Sequence, residues 1–75
     1  MTIDYALANK LHRKHKSALT RAKNTRDPHK VIAAVNAFYD EFEDAGLPLT
    51  DDWHTWSIAK SDAELAIAYD HPYRG

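Results

Sequence analysis

Between Met1 and His71, glycine or proline interrupts the chain at only two places, Pro28 and Gly46-Leu47-Pro48. Interruptions this sparse leave three long segments. Each carries apolar residues at three- and four-residue spacing, the period of a helix, and none alternates with the period of a strand. No internal repeat or low-complexity run is present. The expected fold is therefore all-α: one domain over residues 1–75, built as a small three-helix bundle. An antiparallel helical hairpin of about 3–24 and 28–45 carries a third helix of about 51–69 across it.

The second helix is the best marked. Asp27 is a preferred N-cap and Pro28 is tolerated at the first helical position, where its missing N–H costs nothing. Val31, Val35, Phe38 and Phe42, with Ile32 and Tyr39 beside them, then form one broad stripe. The helix should stop at Ala45, with Gly46 left-handed at the next position, Leu47 making the apolar contact of a Schellman motif and Pro48 blocking continuation. Upstream, Ile3, Leu7, Leu11, His15, Ala18 and Ala22 share one side of a helix flanked by Ala8 and Leu19. Thr2 is its expected N-cap, with Asp4 in the first turn and basic residues near the last. The short link Asn24-Thr25-Arg26-Asp27 makes the first two helices a hairpin. Downstream, Thr50 or Asp51 would cap a third helix whose core stripe is Trp53, Trp56, Ala59, Ala63 and Ile67. Ser61-Asp62-Ala63-Glu64 has the form of a capping box. The stripe keeps phase across it, however, so one continuous helix is expected, followed by an irregular tail from Asp70.

Seventy-five residues without cysteine have neither disulfide nor thiolate metal site to reinforce a core of this size, which ordinarily supplies only about 3 to 5 kcal/mol. Association is one way to add stability, and a homodimer is among the expectations. The first residues show no basic region followed by an apolar run, and no stretch nears the length needed to cross a bilayer, so a cytoplasmic setting without membrane contact is expected.

The net charge of −1 conceals a segregation: residues 1–30 carry eight Lys/Arg against two acids, and residues 31–75 carry two against nine. Five consecutive potentially basic residues, His12 to Lys16, suggest phosphate binding, unless the hairpin sets Lys10, Arg13 and Lys14 against Asp40, Glu41, Glu43 and Asp44. Arg21, Lys23, Arg26 and Lys30 at the hairpin tip would stay unmatched under that pairing, and they are the candidate nucleic-acid-binding residues. His12 and His15 stand at a spacing that can hold a metal, but no third ligand accompanies them, and His15 reads better as a boundary histidine bonded to a neighbouring helix. Asp51 and Asp52 read as capping residues. No metal site or cofactor is expected. No nucleophile elbow, phosphate loop or paired catalytic carboxylates occur, and no catalytic residue is named, so the chain does not read as an enzyme.

From Leu47 onward the residues Pro48, Asp52-Trp53, Trp56, Ala59 and Asp62-Ala63 resemble a pattern of small uncharacterised helical proteins of actinobacteriophages and their actinobacterial hosts. The resemblance covers about a quarter of the chain. It implies a phage or accessory protein in bacterial cytoplasm, and it implies no activity and no functional residue.

A second apolar stripe on the third helix, Ile58, Leu65 and Tyr69, lies nearly opposite Trp56, Ala63 and Ile67. One helix packed on a hairpin does not bury both sides, which makes these three residues the candidate partner-binding surface. The leading expectation is a non-enzymatic protein–protein interaction module, a phage accessory protein that binds and modulates a host component. The alternative is a small nucleic-acid-binding protein using the basic hairpin tip.

Overall fold

Helix termini leave backbone groups without intrahelical partners, and in this chain local residues satisfy them at nearly every end. The computed structural model describes residues 4–49 and 53–73, and within them it places three helices: α1 (Tyr5–Thr25), α2 (Pro28–Asp44) and α3 (His54–Ala68). Asp4 caps α1, its carboxylate accepting from the Leu7 N–H at 3.0 Å. The expected first-turn acid is thus itself the cap; Thr2 and Ile3 lie outside the described residues. Asp27 caps α2 through the His29 N–H at 2.9 Å, with Pro28 at the first helical position.

The C-termini use left-handed residues. After α2, Gly46 at φ 74° lets its own N–H reach the Glu43 carbonyl and the Leu47 N–H reach the Phe42 carbonyl, the two bonds of a Schellman motif, and Leu47 is buried as the motif requires. α3 closes in the same way without glycine. Asp70 takes φ 51°, the Asp70 N–H reaches Ile67 and the His71 N–H reaches Ala66. Arg26, at φ 59°, ends α1. α3 runs unbroken through Ser61, so the capping-box sequence does not start a new helix. The expected caps Thr50 and Asp51 fall outside the described residues, and Trp53 flanks the helix without capping it through its side chain.

α2 is the central element. Its Val31, Val35, Phe38 and Phe42 are fully buried, because α1 packs on one side of it and α3 on the other, each antiparallel to it. Among the described residues α1 and α3 do not bring their Cα atoms within 8 Å of each other. Large side chains fill the space between them. Trp56 stacks on Phe38 with ring centroids 4.1 Å apart and planes 10° apart, while Trp53 meets Phe42 at 5.5 Å and the His12 ring at 5.5 Å. The one hydrogen bond printed between α1 and α3 among the described residues runs from the Trp56 indole N–H to His12 Nδ1 at 3.0 Å. The result is an elongated body of 42 × 20 × 17 Å.

Two features depart from the sequence pattern. Ile67, expected in the core, is 39% exposed, and Ala66 is buried at 3% in its place. The tail explains the change: after the turn at Asp70 the chain brings Tyr73 back into the core. The Asp62 carboxylate acts on the Tyr73 hydroxyl, and Asp62 and Ala66 share one face of α3, so the ring covers the Ala66 side and leaves Ile67 outside. Tyr73 is the second departure, a core residue in a tail expected to be irregular.

Candidate functional site

Three surfaces bear on function: the outer side of α3, the histidines where α1 meets its neighbours, and the cations of α1 with the hairpin tip. On α3, small residues Ala59, Ala63 and Ala66 face inward beside Trp56 and let the helix lie close to α2. The opposite side carries Ile58, Leu65 and Tyr69, which are 53, 46 and 73% exposed. All three are solvent-facing within one chain, so the helix does not sink into a groove that would cover both of its apolar sides. Asp62 falls on the same side, four residues after Ile58 and three before Leu65, and it is exposed. The stripe is therefore apolar with a carboxylate at its middle.

His12 and His15 point to different neighbours. His12 lies among Phe38, Trp53 and Trp56, and its Nδ1 accepts from Trp56, which fixes the proton of the neutral ring on Nε2. Burial holds its pKa below the ordinary 6.5, and the nearby charges of Lys16 and Arg13 act in the same direction. His15 Nε2 donates instead to Glu41 of α2, whose other carboxylate oxygen takes the Lys14 ammonium at 2.7 Å. Those bonds, from Lys14 first and His15 second, hold the Glu41 carboxyl below the usual 4.5. Both histidines are thus structural partners between helices. Among the described residues no three His, Cys, Asp or Glu side chains gather in a way that could hold a metal ion. Asp51 and Asp52 lie outside the described residues.

The cations tell a different story from the pairing considered for the hairpin. Lys14 meets Glu41, as the antiparallel register allows. Among the described residues Lys10, Arg13, Lys16, Arg21, Lys23, Arg26 and Lys30 have no carboxylate within 4.0 Å. α1 itself contains no acidic residue. The four hairpin-tip residues do not form one patch: Arg21 and Lys23, two apart, project from opposite edges of α1, Arg26 sits in the turn and Lys30 belongs to α2. A shallow open depression of about 450 Å³ lies along α1 between Lys16, Ser17, Thr20 and Arg21, two cations alternating with two hydroxyls.

No helix is long and apolar enough to cross a membrane. Comparison with family models, with curated proteins and with solved structures gives no match. The reading of this chain therefore rests on its own residues. Sequence reasoning found Ile58, Leu65 and Tyr69 through their helical spacing. It missed the His12 to Trp56 bond, because residues 44 apart in sequence carry no periodic signal linking them.

Proposed function

We propose that this protein is a non-enzymatic interaction module that docks onto another protein through the outer side of α3. The observation that carries the reading is the exposure of Ile58, Leu65 and Tyr69 on a helix whose core side is already supplied by Trp56 and three alanines. A helix side of this kind gains by association what the small core lacks. The phage-type pattern around Trp53 and Trp56 supports a setting in bacterial cytoplasm, with a host protein as the partner to be modulated.

Asp62 favours a different protein over a second copy. Two α3 helices packed antiparallel about a twofold axis would set Ile58 against Leu65 of the other copy, but the axis would fall beside residue 62 and bring two carboxylates together. A partner that offers apolar side chains around one lysine or arginine meets the stripe without that repulsion.

The test is Leu65→Asp, with Asp62→Lys beside it. Leu65 is half-exposed, so the aspartate should shift the melting free energy of the monomer by no more than about 0.5 kcal/mol while abolishing association, because a charge left unpaired in an interface is costly. Crosslinking in host lysate, compared between the wild type and each variant, should show an adduct that both variants lose. Unfolding of Leu65→Asp, or an identical adduct pattern in all three proteins, would overturn the reading. Equilibrium sedimentation showing a dimer that survives Asp62→Lys would assign the face to self-association instead.

A further inference from the structure

Six residues of α1 make a pattern that protein docking on α3 does not use. Taking Arg13 as the centre of the solvent side, helical geometry puts Thr20 within about 20° of it, Lys16 and Lys23 about 60 to 80° to one side, and Lys10 and Arg21 about 60 to 80° to the other. The buried Leu11, Leu19 and Ala22 occupy the reverse side. The outer half of α1 is thus a polar ridge with a hydrogen-bonding centre and a row of cations along each edge. None of these cations meets an acid among the described residues.

We propose that this ridge docks in the major groove of B-form DNA, with Arg13 and Thr20 toward the base edges and the two rows of cations on the phosphates of the flanking strands. The groove is about 12 Å wide and about 8.5 Å deep, dimensions that admit one α-helix. α1 can enter because it is an outer element: only α2 lies against it at backbone distance, and α3 is beyond that. Two rows of cations separated by a neutral polar strip match two phosphate walls better than they match a single strand. A membrane surface is a poorer fit, since no apolar side chain stands between the cations to insert among lipids. Double-stranded RNA is poorer too, because its deep, narrow major groove excludes a helix. The remaining acids sit mostly on α2 and α3, away from the ridge, so the low net charge does not argue against local attraction. Because α2 separates the outer sides of α1 and α3, DNA on one leaves the other free for a protein.

Fluorescence anisotropy of the full chain with a labelled mixed-sequence DNA duplex tests the inference. Four phosphate contacts predict a loss of affinity of about 100-fold between about 50 and 200 mM salt. Changing Lys10, Lys16, Arg21 and Lys23 together to alanine should remove most of the affinity and flatten the salt dependence, with far-UV circular dichroism unchanged because all four lie outside the core. Arg13→Ala should leave the salt dependence nearly intact and weaken binding to a selected sequence by about 10- to 100-fold. Leu65→Asp should bind DNA as the wild type does, which separates this result from the fate of the α3 reading. Absence of binding at 50 mM salt, binding that survives the fourfold variant, or equal affinity for double-stranded RNA, polyglutamate or anionic vesicles would overturn the proposal.

Discussion

Replacing Trp56 by alanine removes the largest fully buried side chain of the protein, its stack on Phe38 and the indole N–H that His12 accepts. Truncating a buried tryptophan costs about 3 to 5 kcal/mol. A stacked aromatic pair adds about 0.5 to 1.5 kcal/mol beyond its area, which places this residue toward the upper end. A cysteine-free domain of this size has about 3 to 5 kcal/mol in all, so Trp56→Ala should be largely unfolded at room temperature. Trp56→Phe separates the two contributions. It keeps a ring against Phe38 and strands only His12 Nδ1, at about 1 to 3 kcal/mol. Trp53 supplies the contrast, because its buried indole N–H has no hydrogen-bond partner, and Trp53→Phe should cost less than Trp56→Phe. Urea titrations followed by far-UV circular dichroism measure all three variants. A Trp56→Ala midpoint equal to that of the wild type, or equal costs for the two phenylalanine variants, would refute the packing described for α3.

Stability should fall on acidification in two stages. The His12 pKa is lowered in the folded state, so the unfolded chain binds the proton more tightly; the contribution is complete above about pH 6.5 and is lost as pH drops below it, and thermal melts from pH 8 to 5 should show less of this decline in His12→Gln. Glu41, also lowered when folded, adds a further loss below about pH 4.5, which Glu41→Gln should remove. Gly46→Ala should destabilise by about 1 kcal/mol through backbone strain alone, since an added Cβ at φ 74° meets nothing within 4 Å. Arg26→Gly, relieving a left-handed non-glycine residue, should stabilise by about 0.5 kcal/mol in the same assay.

The number of helices, their approximate limits, the hairpin and the Schellman end of α2 follow from local chemistry: a cap, a proline, a left-handed glycine and a helical period are each written within a few neighbouring residues. The exposure of Ile58, Leu65 and Tyr69 was legible for the same reason, as the second side of a helix whose first side was already apolar. What the tertiary structure decided is everything that joins residues far apart. Tyr73 returns to the core because Asp70 reverses the chain, and that contact, with no periodic trace, displaces Ile67 in favour of Ala66. His12 becomes a hydrogen-bond acceptor because the space between α1 and α3 must be filled by rings. The cations of α1 stay largely unpaired because the antiparallel register offers Lys14 a partner in Glu41 while the outer half of the helix faces away from α2. Charge counting along a sequence sees how many opposite charges exist, whereas pairing depends on which side of a helix each one occupies.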